Sequence, residues 1–249
     1  MRIPNNKRFT FVIEPKDVDL KGRATMASVF DYMMRTAHLH AQRYKLGMYD
    51  IREQNLSWVI LRAVVEMETV LRANDTFSIV TWVSECNRLS CVRNFIILDA
   101  GEKEIGHAVT QWSIIDHTTR RPVNLLEMPR IIRHMHPEYP TCGLYPKKIQ
   151  PLQEYDSRNS HRVVYSDLDF NGHVNSLKYL QWMLDQLPIE WASGRQLWHF
   201  DVNYVHEILW DEQPYILCRK DEDFTAFEIC KDDGQVACRA EMQWRSFEE

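Results

Sequence analysis

No apolar run in this chain approaches the roughly 20 residues that a helix needs to cross a bilayer. Its opening residues, MRIPNNKRFTFVIEP, carry basic groups but lack the apolar core of a signal peptide. The cytoplasm is therefore the expected location. The six cysteines, Cys86, Cys91, Cys142, Cys218, Cys230 and Cys238, include no Cys-x-x-Cys pair. A zinc site of common spacing is thus not indicated, and free, mostly buried thiols are expected. An excess of positive charge is also missing. The formal net charge of −5 argues against a nucleic-acid partner, though it leaves room for a local basic patch facing an acidic one. What is present is apolar material, 45 % of 249 residues, enough to offset chain entropy. That length suits one large domain or two of about 100–125 residues.

A duplication favours two. Residues 17–34 read DVDLKGRATMASVFDYMM and residues 167–184 read DLDFNGHVNSLKYLQWML, an ungapped offset of 150. Asp17 matches Asp167, Asp19 matches Asp169, Gly22 matches Gly172 and Met33 matches Met183. A second echo closes each half: Asp99-Ala100-Gly101 before Gln111-Trp112, then Asp232-Asp233-Gly234 before Gln243-Trp244. Between the halves, 117–158 forms a strap holding six of the ten prolines, a density that stops helices and central strands. One short helix is expected in it, around Met128–His136. The implied division is 1–116, the strap, and 159–249.

Within each half the period changes in the same order. Met26, Val29, Phe30, Met33, Ala37, Ala41 and Tyr44 recur at helical spacing, as do Val174, Leu177, Leu180, Leu184 and Leu187. Each set predicts a helix of four or five turns, with Gly47 and Pro188 as stop signals. Strands follow: Val59–Val70, Thr76–Ser84, Ser90–Asp99 and His107–Asp116, then Phe200–Trp210 and Gln235–Phe247. The fold class is α+β, each half an antiparallel sheet wrapped around one long helix, a tandem double hot-dog.

The copies differ where chemistry would sit. Lys21 becomes Asn171 and Arg23 becomes His173. Asp169, Asn171 and His173 then gather just before a helix, where unpaired N–H groups favour developing negative charge. His173 can move a proton near neutral pH, Asp169 can orient it or bind neighbouring donors, and Asn171 offers an amide N–H to a carbonyl. Turn and helix-cap roles fit the same residues. The D-x-D-x-N-G pattern also opens a calcium loop, but Lys178 stands where a bidentate Glu is required, and His161–Tyr165 reads as a strand.

Around these residues the chain resembles the plant and bacterial acyl-acyl-carrier-protein thioesterases. The resemblance runs through Trp58-Val59-Ile60-Leu61-Arg62, Thr81-Trp82, Gln111–Asp116 with Thr119-Arg120-Arg121-Pro122, and most specifically Ser166–Asn175. It also takes in Tyr204-Val205-His206-Glu207. It implies a double hot-dog whose first half shapes an acyl tunnel and whose second half carries Asp169, Asn171, His173 and Glu207 as the catalytic set. It implies hydrolysis of an acyl-carrier-protein thioester to a free fatty acid; a hydratase or dehydratase of acyl thioesters, an acyl-CoA thioesterase and a non-catalytic acyl-binding module on the same fold are the alternatives, and no cofactor or metal is expected. Plant members place a cysteine directly after the glutamate; here that position is Ile208, so attack by water is expected. Strict alternation along Phe200–Trp210 sets Glu207 opposite Phe200, Val202, Tyr204, Ile208 and Trp210, away from a core face.

A soft, methionine-rich stripe suits a flexible acyl chain, which makes Met26, Val29, Phe30 and Met33 candidate substrate contacts, though the same stripe also reads as core. The partners implied are an acidic acyl carrier protein and the fatty acyl thioester it carries, without nucleic acid or membrane span. A homodimer is compatible with this reading. Arg120, Arg121, Arg130, Arg133, Lys147, Lys148 and Lys178 are the candidate basic docking residues.

Overall fold

The computed structural model describes residues 7–139 and 141–247. The chain divides into two compact units, Met1–Pro146 and Lys147–Glu249. In the first unit β1 (Arg8–Val12) leads to α1 (Met26–Arg43), a short α2 (Met48–Arg52), and then β2 (Leu56–Met67), β3 (Thr76–Cys86), β4 (Cys91–Asp99) and β5 (Glu104–Asp116), with α3 (Pro129–Arg133) behind. The strands lie in the order β1-β3-β4-β5-β2, antiparallel throughout. Thr25 begins α1 by accepting the Ser28 N–H on its hydroxyl. The inner stripe of α1 is buried, and Phe77, Ile79, Phe95 and Ile97 of the sheet are wholly enclosed. Tyr32 meets Phe77 edge-on at 5.1 Å, one of the contacts that fix the helix to the sheet.

The second unit repeats the plan. β6 (Ser157–Ser160), α4 (Ser176–Leu184), α5 (Ile189–Ser193), β7 (Arg195–Tyr204), β8 (Tyr215–Lys220), β9 (Phe224–Cys230) and β10 (Val236–Ser246) follow in sequence. The strand order is β6-β8-β9-β10-β7, which is the first unit's order with each strand replaced by its counterpart. Both units are the α+β hot-dog arrangement expected from the duplication. The second helix is shorter than expected: it ends at Leu184 with Asp185, still helical in φ and ψ, as its cap, and a separate short helix begins after Pro188.

The strap begins in the first unit and ends in the second. Cys142 and Leu144 cover Val64, Val92 and Val109, and the Asn94 side chain accepts the Cys142 N–H at 3.3 Å. Further on, Asn203 accepts the Ile149 N–H and donates to the Lys147 carbonyl, each at 2.9 Å. The short strap helix is Pro129–Arg133, inside the expected span, with proline in its first turn.

Three expectations are corrected. Cys86 and Cys91 are joined by a disulfide rather than free, because the β3–β4 hairpin register sets them directly opposite one another. The strand expected at His161–Tyr165 lies earlier, at Ser157–Ser160, and the chain turns at Tyr165–Asp167. The run Phe200–Trp210 is a strand only to Tyr204.

Candidate active site

The two D-x-D loops superimpose bond for bond in their backbone wiring. Asp19 N–H donates to Arg23 O at 2.7 Å and Asp169 N–H to His173 O at 2.7 Å. Gly22 N–H donates to Asp19 O and Gly172 N–H to Asp169 O. Both glycines hold positive φ, 72° and 79°, where a side chain would be strained. Asp19 Oδ1 accepts the Lys21 and Arg23 N–H groups, and Asp169 Oδ1 accepts those of Asn171 and His173 at 2.8 and 3.2 Å. Each loop is thus an aspartate-nucleated turn whose conformation does not depend on residues 21 and 23 or 171 and 173 being alike.

The side chains diverge from that shared frame. Arg23 folds back and grips Asp19 Oδ2 through Nε and Nη2 at 2.8 and 2.6 Å. Water loss alone would raise the Asp19 carboxyl, but the Arg23 hydrogen bonds hold it below the usual carboxylate range. His173 does not fold back. Its Nδ1 lies 3.3 Å from Glu207 Oε2, leaving Asp169 Oδ2 without a side-chain partner. Among the described residues the Asn171 side chain finds no hydrogen-bond partner, and its Oδ1 is buried.

Glu207 reaches His173 because the β7 strand stops at Tyr204. Past it, Val205 and His206 both donate to Ala237 O, Ile208 N–H donates to the Tyr179 hydroxyl at 3.2 Å, and Leu209 N–H donates to Glu212 Oε2 at 2.8 Å. Val174 N–H then donates to Ile208 O at 2.9 Å. Alternation ends with the strand, so the facing argument against Glu207 does not apply beyond Tyr204. In the first unit the equivalent bond runs from Ala24 N–H to Leu71 O. Leu71 is therefore the counterpart of Ile208, and Val70 the counterpart of Glu207. The first copy has valine, lysine and arginine where the second has glutamate, amide and imidazole.

Helix capping does not occupy these groups. The cap of α4 is Asn175, which accepts the Leu177 N–H at 2.9 Å. That closes part of the helix mouth and leaves the Asn171 amide as the idle neutral donor of the loop. Asp167, 4 % exposed, anchors the approach by accepting the Val164 N–H, with Lys178 Nζ 3.7 Å from its other oxygen. Tyr179, on α4, was not singled out by the sequence. It sits one residue after Lys178 in an ordinary helical pattern, and only the fold shows that its hydroxyl holds the Glu207 segment.

The remaining candidates fall elsewhere. Met26, Val29, Phe30 and Met33 belong to the first unit and are 6 %, 3 %, 0 % and 0 % exposed. Arg120, Arg121, Arg130, Arg133, Lys147 and Lys148 are exposed; Lys147 pairs with Glu241 at 2.6 Å. Burial pushes the Cys142 and Cys218 thiols up to about 11 and the Cys238 thiol higher still, so none of the three offers a thiolate nucleophile. Among the described residues no helix is long and apolar enough to cross a membrane.

Comparison with known proteins identifies a family. The model of the acyl-ACP thioesterase N-terminal domain matches residues 5–130, and that of the acyl-ACP thioesterase C-terminal domain matches 150–246. The chain is similar to a chloroplastic oleoyl-acyl carrier protein thioesterase of Coriandrum sativum, 26 % identical over 94 % of this chain and 68 % of that one. A chloroplastic palmitoyl-acyl carrier protein thioesterase of Arabidopsis thaliana is 24 % identical over 80 % of this chain, which spans 52 % of it. The chain thus spans about half to two thirds of the plant relatives' length. A crystal structure of an acyl-ACP thioesterase from Bacteroides thetaiotaomicron aligns with TM-score 0.86 at 30 % identity, covering 96 % of this chain and 97 % of that one. A 12:0-ACP thioesterase from Umbellularia californica shares the fold at TM-score 0.86 and 21 % identity, covering 96 % of this chain and 97 % of that one.

Proposed function

The chain belongs to the acyl-ACP thioesterase family, and from that premise we propose that it hydrolyses the thioester of acyl-acyl-carrier-protein, with the second unit supplying the chemistry. The observation that carries the site assignment is the His173–Glu207 pair beside an unpartnered Asn171 amide, set in a loop whose twin lacks all three groups.

Glu207 accepts the Nδ1–H of His173, which leaves the Nε2 lone pair free to take a proton from water. The water oxygen attacks the thioester carbonyl carbon, and the carbonyl electron pair moves onto oxygen, where the Asn171 N–H donates. Collapse of the tetrahedral species breaks the C–S bond, and the proton held on His173 passes to the leaving thiolate. Asp169 keeps the loop in shape through Oδ1 and offers Oδ2 to the attacking water. General acid–base help of this kind gives about 10²–10⁴-fold, and an oxyanion donor a further ~10²–10³. No cysteine takes part, since Ile208 follows Glu207 and is fully buried.

Met26, Val29, Phe30 and Met33 line the acyl chain in this reading, and exposed basic side chains such as Arg120, Arg121, Arg130 and Arg133 meet the acidic carrier protein. The setting supposed is the cytoplasm, with a homodimer allowed. The test supplies acyl- and enoyl-carrier-protein thioesters in separate incubations. Release of free thiol with one solvent oxygen in the acid, and no hydrated product, is expected. Hydration of the enoyl thioester without thiol release would assign the site to a hydratase instead.

A further inference from the structure

The segment that carries Glu207 is fastened on both sides to one hairpin turn. That turn joins β9 to β10 and is closed by the Lys231 N–H donating to Gln235 O at 2.8 Å and the Gly234 N–H donating to Lys231 O at 3.0 Å. Ahead of Glu207, the Val205 and His206 N–H groups both reach Ala237 O, just past the turn, and His206 Nδ1–H donates to Val236 O at 2.8 Å. After Glu207 the chain turns back at 209–212. There Glu212 Oε2 accepts the Leu209 N–H at 2.8 Å, and the Glu212 N–H donates to Leu209 O at 3.3 Å. The other oxygen of that carboxylate, Oε1, lies 2.5 Å from Lys231 Nζ, with both side chains 17 % exposed. The hydrogen bond to Glu212 holds the Lys231 ammonium above its ordinary range and outweighs the effect of burial.

The first unit has the same frame with other charges in it. Its turn is closed by the Asp99 N–H donating to Lys103 O and the Glu102 N–H to Asp99 O, which makes Asp99 the counterpart of Lys231. The Glu68 and Thr69 N–H groups both donate to Ile105 O, as those of Val205 and His206 do to Ala237 O. Asp75 Oδ2 accepts the Arg72 N–H at 2.7 Å, which makes Asp75 the counterpart of Glu212. Two carboxylates therefore stand where the second unit has an ammonium and a carboxylate, and like charges cannot bridge. The turns form in both copies, so the ion pair is not needed to fold them. It occurs in the copy that has Glu207 where the other has Val70. A single partly exposed pair adds little to global stability, but a displacement of about 1 Å near the reacting groups can cost up to about 10²-fold in rate. We propose that Lys231 and Glu212 are positioning residues, whose ion pair clamps the Glu207 segment to the β9–β10 turn and holds the Glu207 carboxylate against His173. This role rests on the catalytic reading of Glu207.

The test introduces Lys231→Met into the full-length wild type and into Glu207→Gln, and measures kcat and KM for thiol release from an acyl-carrier-protein thioester. In the wild type kcat is expected to fall about three- to fivefold with KM within about twofold. In the Glu207→Gln background the same change should move kcat by less than about 1.5-fold, since a clamp acting through Glu207 has nothing left to position. Glu212→Asp copies Asp75, keeping the Leu209 bond while shortening the reach to Lys231, and should lose as much as Lys231→Met. Lys231→Arg, which keeps the charge, should restore kcat to within about twofold of wild type. Denaturant melts establish that each variant folds, and if Lys231→Met does not, Glu212→Asp carries the same comparison. An equal fall in both backgrounds overturns the proposal, because a merely structural loss does not depend on Glu207. An unchanged kcat in folded Lys231→Met, with turnover lost in Glu207→Gln, also overturns it and leaves the catalytic reading standing. Turnover unmoved by Glu207→Gln overturns both.

Discussion

Replacing His173 by arginine should turn the second loop into a copy of the first. In the first unit Arg23 grips Asp19 at 2.8 and 2.6 Å, with side chains 7 % and 27 % exposed. Backbone wiring around Asp169 is the same as around Asp19, so the new guanidinium has a ready acceptor in Asp169 Oδ2. A partly exposed pair of this kind contributes about 0.5–1 kcal/mol, set against loss of the His173–Glu207 contact. His173→Arg should therefore leave the unfolding free energy within ~1 kcal/mol of wild type, read from guanidinium melts. Turnover should fall by at least about 10², because the proton acceptor is gone and Asp169 is occupied. Adding Glu207→Val, to match Val70, should lower it further without unfolding the chain. Thiol release measured on acyl-carrier-protein supplies the activity. Turnover within tenfold of wild type would refute the role given to His173. A loss of stability above about 3 kcal/mol would refute the equivalence of the two loops.

Two further outcomes follow from single contacts. Tyr179→Phe strips the acceptor from the buried Ile208 N–H and should cost about 1–3 kcal/mol of stability. By loosening the Glu207 segment it should lower kcat several-fold with KM little changed, whereas a KM effect alone would exclude a positioning role. The folded pKa of His40 is depressed from 6.5 to about 2, so the unfolded chain binds more protons between those values and stability falls as pH drops through that window. Between pH 7 and 5 the fall due to this group is about 2 kcal/mol, and His40→Gln should remove that part of the slope in denaturant melts at each pH. An unchanged slope would mean that His40 is not held neutral by the fold.

Much of this architecture could be read from residue order. The 150-residue offset located both loops and both helix starts, because the aspartate turns and glycines that make them are local devices. The divergence at residues 21/171 and 23/173 singled out the copy to which the proposed chemistry is assigned. Three things were not legible. The end of β7 at Tyr204 depends on bonds from Val205, His206 and Ile208 to distant partners, so alternation alone misjudged Glu207. The equivalence of Val70 and Glu207 lies outside the constant offset, since the loops between helix and strand differ in length. The pairing of Cys86 with Cys91 needed the hairpin register, which spacing does not provide. Tyr179 was hidden for the same reason: it sits in an ordinary apolar pattern and gains its meaning only from what the fold brings against it.

The most direct measurement follows thiol release from an acyl-carrier-protein thioester by the wild type and by the Asn171→Ala, His173→Ala double variant, with acyl binding assayed on the same samples. The account predicts turnover reduced by at least about 10³ while acyl binding stays within a few-fold of wild type. Unchanged turnover in a folded, acyl-binding double variant would contradict it.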